Sequence, residues 1–414
     1  MALGGANRIA AQDSLAELNA LAASAGAEIA GELFQTVRDI DPRTLIGSGK
    51  VDELRDLAHR REAGVAIFDE TLSPAQARNL SNELGIRVID RTQLILDIFA
   101  LRARTLAGKL QVEVAQLAYL QPRLTRQWTH LSRLGGGGAR GSAIGARGPG
   151  ETQLEVDRRR VAERLVRLRR RLSEVERTRA LQRQRRLEIP YPSVALVGYT
   201  NSGKSTLMNV LTNAGVETAN RPFSTLDSTI RRLKLPGGLN VMVSDTVGFI
   251  NRLPHLLIEA FKATLEEVRT ADLLLHVVDS SSPLQHEQIE VVERVLGEIG
   301  AAATPRLMVF NKADLDHDGA TNGSLRRLDD SVWISALRGD GIDTLTDMMA
   351  TFFANLREEV VVTLPAARGD LVAAAWRDGQ VLSEEYQDGC VVMRARVTRS
   401  MAGRLRKAAA AIQA

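Results

Sequence analysis

Eight consecutive residues, Gly198-Tyr199-Thr200-Asn201-Ser202-Gly203-Lys204-Ser205, fit the pattern GxxxxGK[ST] without deviation. Glycines at these positions let the backbone curl so that its N–H groups converge on phosphate oxygens, and the helix that follows adds its positive end. Lys204 is expected to reach the β and γ oxygens, and Ser205 to ligate Mg²⁺. Downstream, Asp245-Thr246-Val247-Gly248 offers a carboxylate that can hold Mg²⁺ through water and a glycine N–H that can approach a γ-phosphate unobstructed. Asn311-Lys312-Ala313-Asp314 follows an apolar run. A carboxylate at Asp314 pairs with the two donors on a guanine edge, and adenine would leave it unpaired. Ser335-Ala336-Leu337 is placed to support the base through backbone contacts.

Between the first two motifs, Phe223-Ser224-Thr225-Leu226-Asp227 reads as the loop that closes over the nucleotide. A threonine there can give its hydroxyl to Mg²⁺ and its N–H to the γ-phosphate; Thr225 is the first choice and Thr229 the alternative. Lys204, Thr225 and Gly248 are the expected catalytic set, and Ser205 and Thr225 the expected metal ligands. Directly after Gly248 stands Phe249, where many small GTPases carry a glutamine that orients the attacking water. A phenylalanine cannot hydrogen-bond water, so slow intrinsic hydrolysis and a stimulating partner are expected. The order P-loop, DxxG, NKxD, SA separates a GTPase from other P-loop folds.

These loops need an alternating framework. Strand-like runs at 194–197, 239–243, 273–278, 306–310 and 332–334 alternate with helical ones, as in an open doubly wound sheet. Upstream, helix-period stretches at 14–25, 49–63 and 75–85 interleave with β-rich runs at 65–68 and 87–90, a small parallel α/β unit in which Ser73-Pro74 opens a helix. Residues 1–11 make a poor strand. Residues 92–130 read as largely helical, and a long helix is expected from about 152 to 186. Its Val161, Leu165, Leu168, Leu172 and Val175 step by four and three, the seam of a two-helix coil whose partner is Leu110, Val114, Leu117 and Leu124. The turn between them, residues 135–150, holds eight glycines. Short β-rich runs follow residue 360.

The 414 residues carry a net charge of +4, but residues 100–190 hold 21 Lys+Arg against 8 Asp+Glu, which leaves the rest of the chain at −9. Arginine dominates that excess and suits phosphate and bases; the narrow apolar seam disfavours a membrane-surface helix, and a merely solvated arginine face is the plain alternative. One cysteine, Cys390, excludes an internal disulfide or a cysteine zinc site. No window has the apolar length of a membrane span, so a cytoplasmic protein is expected. The fold class is α/β, with four expected domains: an N-terminal α/β subdomain (1–100), a basic helical hairpin with a glycine-rich tip (101–190), a P-loop GTPase domain (191–357) and a small C-terminal α+β element (358–414).

The chain resembles the HflX-family GTPases, a ribosome-associated branch near the Obg-like GTPases. The likeness rests on residues 90–99 (DRTQLILDIF), 108–113 (GKLQVE), 148–155 (GPGETQLE), 223–227 (FSTLD) and 245–249 (DTVGF), with further similarity at 46–51 and 72–76. It implies GTP hydrolysis to GDP with Mg²⁺, a large (50S) ribosomal subunit and its rRNA as partners, and the splitting of stalled or stressed ribosomes. No DNA partner, no integral membrane segment and a monomer are expected, with peripheral membrane contact left open. The hairpin tip would reach ribosomal RNA. A GTPase acting in large-subunit assembly or RNA remodelling is the rival reading.

Overall fold

The computed structural model describes residues 1–4, 8–36, 40–123, 153–187, 191–212, 223, 229–251, 262–315, 330–356, 358–387, 389–397 and 399–410. The chain divides into two compact units, one built mainly from Met1–Arg177 and one from Thr178–Asn220, Ser224–Arg252 and Lys262–Ala414.

In the first unit, strands β1 (Ala2–Gly4) and β2 (Phe34–Thr36) pair in parallel, as do β3 (Val65–Phe68) and β4 (Arg87–Asp90). The short β1 lies in the stretch that reads as a poor strand, and it spans three residues only. Its side chains have little strand propensity, but Met1 is buried and held by backbone bonds, its amine donating to Ile67 O at 2.8 Å and its carbonyl accepting from Asp69 N at 2.9 Å. Tertiary pairing overrides local preference.

Helices α1 (Arg8–Ser24), α2 (Ser48–Arg60), α3 (Pro74–Leu84) and α4 (Arg91–Arg102) alternate with these strands. Helix α3 starts in a capping box, Ser73 accepting from Gln76 N while the Gln76 side chain accepts from Ser73 N, with Pro74 in the first turn. Its first turn is therefore satisfied locally, as the Ser-Pro pair predicts.

Helix α5 (Leu106–Leu120) packs against α6 (Gln153–Leu187) through Leu110 and Val114 on one side and Val161, Leu165 and Leu168 on the other, flanked by Leu117, Leu172 and Val175. The predicted seam is the observed contact. Leu124 and the glycine-rich tip 135–150 lie outside the described residues.

In the second unit, β5 (Ser193–Gly198), β6 (Thr229–Lys234), β7 (Asn240–Asp245), β8 (Leu273–Asp279), β9 (Arg306–Asn311) and β10 (Ser331–Trp333) form one sheet in the order β10-β9-β8-β5-β7-β6. All pairings are parallel except β6 with β7. Strand β8 reads Leu-Leu-Leu-His-Val-Val-Asp because a central parallel strand is covered on both faces, and its first six residues are buried. Helices α7 (Lys204–Thr212), α8 (Lys262–Arg269), α9 (Gln285–Glu298) and α10 (Ile342–Asn355) connect the strands.

Strands β11 (Glu358–Pro365), β12 (Gln380–Gln387) and β13 (Cys390–Val397) make a separate antiparallel sheet in the order β11-β13-β12, accompanied by α11 (Gly369–Asp378) and α12 (Arg399–Ala410). Its core, with Leu364, Ala375, Met393, Val397, Ala402 and Leu405, is its own. The sheet is the small C-terminal α+β element that the short β-rich runs foreshadow.

Candidate functional site

In parallel sheets, ligands bind beyond the carboxyl ends of the strands, where the strand order reverses. Strand β5 lies at that reversal, between β7 and β8. The four motifs with described geometry emerge from the carboxyl ends of β5, β7, β9 and β10, so the sheet delivers them to one rim.

Gly198 leaves β5 with φ of +153°, Asn201 has φ of +61° and Gly203 +94°. A Cβ on Gly198 would sit 2.2 Å from Val277 O, and one on Gly203 2.1 Å from Asn311 Nδ2. The loop therefore tolerates only glycine at both ends. Lys204 is buried and donates to Gly198 O at 3.1 Å and Tyr199 O at 2.7 Å. Burial lowers its pKa from 10.5 to about 8, partly countered by Asp245. Ser205 Oγ donates to Asp245 Oδ2 at 2.7 Å, joining the first turn of α7 to the end of β7. These two hard oxygen donors are the kind that Mg²⁺ prefers.

The loop after β7 is fastened to the P-loop by backbone bonds, Thr200 N donating to Phe249 O at 2.7 Å and Phe249 N to Gly198 O at 3.1 Å. Thr246 Oγ1 donates to Leu196 O, Asn251 N donates to the Tyr199 hydroxyl, and Val247 is buried. A Cβ on Gly248 would lie 2.9 Å from Thr200 Cα and 3.1 Å from Lys204 Nζ. Phe249 itself is buried.

Asn311 is a strap. Its Nδ2 donates to Ser202 O at 2.8 Å, and its Oδ1 accepts from Ala336 N at 2.9 Å, so one buried amide ties the P-loop to the loop after β10. Ala313 N donates to Ile334 O. Asp314 accepts from Ser335 Oγ at 2.7 Å; that bond, with Arg338 and Lys312 nearby, holds its carboxyl below the usual range. Lys312 pairs with Asp279 at 2.5 Å. Asp279 closes β8 and matches no nucleotide motif, so spacing alone does not single it out; its signal is only an acid at the end of an apolar strand. Leu337 is 82% exposed beside these groups.

The expected loop 223–227 is only partly visible. Phe223 is counted with the first unit, where its buried ring meets Phe99 edge-on at 4.6 Å. Ser224, Thr225, Leu226 and Asp227 lie outside the described residues. Thr229 opens β6 in register with Asp245.

The basic hairpin forms a second candidate surface. Because α6 spends its apolar seam on α5, Arg158, Arg159, Arg160, Arg164, Arg167, Arg169, Arg170 and Arg171 are exposed. Arg164 pairs with Glu113 of α5. Among the described residues no helix is long and apolar enough to cross a membrane, and no three acidic, histidine or cysteine side chains cluster as for a metal ion.

Residues 12–100 match a family model described as the N-terminal part of GTP-binding GTPases, 102–186 match its middle region, and 193–312 match one described as a 50S ribosome-binding GTPase. A GTPase HflX of Caldanaerobacter subterraneus is 45% identical over 95% of this chain and 90% of its own. One from Escherichia coli is 43% identical over 93% and 90%. A GTP-binding protein from the archaeon Sulfolobus solfataricus, solved in complex with GDP, is 25% identical over 86% of this chain and 98% of its own, with a TM-score of 0.45.

Proposed function

The chain belongs to the HflX family of GTPases, and from that premise we propose that it binds the large ribosomal subunit and splits stalled or stressed ribosomes, with GTP turnover raised by the ribosome. The observation that carries this reading is the arginine face of α6, left outward because the apolar seam is used by α5. Such a face suits an RNA backbone better than a bilayer.

Gly198 to Ser205 hold the phosphates, with Lys204 neutralising charge that develops on the β and γ oxygens. Mg²⁺ would be held by Ser205, by Thr225 and through water by Asp245, and supplies charge neutralisation when bound. Gly248 N–H faces the γ-phosphate. Asp314 reads the guanine edge, Asn311 braces it, and Ser335, Ala336 and Leu337 support the base. Phe249 leaves the attacking water without a local side chain to orient it, so the partner supplies or repositions that group. The protein works in the cytoplasm as a monomer.

A nucleotide moves the equilibrium only through differential affinity. Sedimentation should show tighter large-subunit binding with a non-hydrolysable GTP analogue than with GDP; equal binding refutes the switch. Incubation with intact ribosomes separates splitting from the assembly reading, which predicts no subunit release. Lys204→Ala should abolish release, whereas a pure RNA-binding module would keep its function.

A further inference from the structure

The C-terminal sheet has one open edge. Strand β12 pairs with β13 and with no other strand among the described residues. A register irregularity between Val381 and Ser383 disrupts only its first half, so residues 383–387 offer a regular row of backbone groups.

Beside that edge lies an open cleft of about 330 Å³. Its walls include Val372 and Trp376 of α11, Glu384 and Tyr386 of β12, and Val391 of β13. Trp376 and Tyr386 are 58% and 71% exposed, so large aromatic surface is left in water. Between them Glu384 Oε2 accepts from Trp376 Nε1 at 2.6 Å. That bond and one from the Tyr386 hydroxyl hold the carboxyl below its ordinary range. A carboxylate has about four acceptor sites, so two bonds leave room for further donors.

Glu384 and Tyr386 share the strand face of their partners Met393 and Val391, which are buried in the core of this sheet. Apolar residues would be the ordinary choice there. A charged and a phenolic group in those places break the local pattern, as binding sites tend to do.

The charge around the cleft selects the occupant. From Ala366 to Gln387 the chain carries Asp370, Asp378, Glu384 and Glu385 against Arg368 and Arg377, with Arg368 paired to Asp370 at 2.9 Å, whereas α12 carries Arg399, Arg404, Arg406 and Lys407 and no acid. The sheet thus has an acidic side at β12. Phosphate would be repelled there, and a cation flanked by aromatic rings and a carboxylate would be attracted.

We propose that this edge and cleft dock an extended basic segment of a partner protein, added as a strand along residues 383–387 with one arginine or lysine side chain seated between Trp376 and Tyr386 on Glu384. Backbone bonds to the edge provide affinity, and the cleft provides selectivity.

The test uses the full chain and a fluorescently labelled short peptide alternating arginine and valine, read by anisotropy at moderate salt. Trp376→Ala and Glu384→Gln should each weaken binding about tenfold or more, equivalent to about 1.4 kcal/mol. Glu385→Gln makes the same charge change on the other strand face and should alter binding less than about twofold. Methylating alternate peptide amides, which blocks strand pairing, should abolish binding. Equal effects of Glu384→Gln and Glu385→Gln would reduce the contact to general electrostatics and overturn the proposal. So would an intact response to the methylated peptide. Labelled oligouridine bound through Trp376 would replace the protein partner with RNA. Self-association of Glu384→Gln with unchanged peptide affinity would make Glu384 a guard of the edge and refute docking. All these variants replace exposed or half-exposed side chains, and circular dichroism verifies their fold.

Discussion

Asn311→Ala removes the amide that joins the P-loop to the base-side loop. In the folded chain its Nδ2 serves Ser202 O at 2.8 Å and its Oδ1 serves Ala336 N at 2.9 Å, both in buried surroundings. Truncation orphans one carbonyl and one N–H, at about 1–3 kcal/mol each, which water entering the gap reduces in part. If the untied loops part in the free variant, nucleotide must bring them back together on binding, and a combined cost of about 2–4 kcal/mol then appears as binding weakened roughly thirty- to a thousandfold. Because the strap holds loops and not the γ-phosphate, GDP and GTP should lose affinity equally, as titration calorimetry with each nucleotide will show. Asn311→Asp keeps the acceptor for Ala336 N but sets a carboxylate against Ser202 O, so it should be no milder. A loss under about threefold, or one confined to GTP, would refute the strap.

Gly248→Ala should discriminate between nucleotides. Its Cβ would press on Thr200 Cα at 2.9 Å and Lys204 Nζ at 3.1 Å, and Gly248 has no left-handed backbone to strain. GTP binding and turnover should fall at least tenfold and GDP affinity by less, since Thr200 and Lys204 also serve the β-phosphate, and equal losses would count against its γ-phosphate role. Lys204 yields a pH prediction with a fixed sign. Its folded pKa is about 8 against 10.5 in an ordinary lysine. Between those values the unfolded chain holds more protons, so the nucleotide-free protein gains stability as pH rises, while below 8 the cost of the buried cation is carried in full. Phosphate restores the charge, so above pH 8 nucleotide binding should take up a proton and weaken toward tenfold per pH unit; calorimetry at about pH 9 in buffers of different ionisation heat measures this uptake. Replacing Arg167, Arg169 and Arg171 with alanine should weaken large-subunit binding and reduce the salt slope by about one for each phosphate no longer neutralised, while intrinsic GTP turnover is unchanged.

Much of this was legible from residue types and spacing, for physical reasons that differ by element. The P-loop can be read because Gly198 and Gly203 answer steric demands that no other residue meets, an added Cβ falling 2.2 Å and 2.1 Å from neighbouring atoms. The seam of α5 and α6 can be read because a step of four and three has one geometric outcome. Strand β1 is hard to read from the sequence, since residues 2–4 pair with 34–36 and Met1 bonds to Ile67 and Asp69, all distant along the chain. Asp279 was hidden for the same reason: its partner Lys312 is brought close only when β8 and β9 pair. Asn311 was visible as part of a motif, but its strapping of two loops became evident only from their positions. The polar cleft at β12 escaped because Glu384 and Tyr386 look like ordinary solvent-facing residues until register places them opposite buried Met393 and Val391.

The position of Phe249 shows why a missing catalytic side chain cannot be supplied by simple substitution. Both of its backbone groups are committed, its N–H to Gly198 O and its carbonyl to Thr200 N, and its ring is buried. A glutamine there inherits this backbone and starts with an amide in an apolar setting, where an unpaired polar group costs about 1–3 kcal/mol. Those two bonds fix the backbone of this position, so a glutamine amide could reach a phosphate-bound water only by leaving the buried place that the ring now fills. Phe249→Gln should therefore lower stability and leave intrinsic turnover slow, whereas large ribosomal subunits should raise turnover of the unmodified protein. Single-turnover GTP hydrolysis measured with and without subunits checks both statements. A glutamine variant that turns over rapidly alone, or an unmodified chain indifferent to subunits, would show that the hydrolytic water is oriented from within the chain.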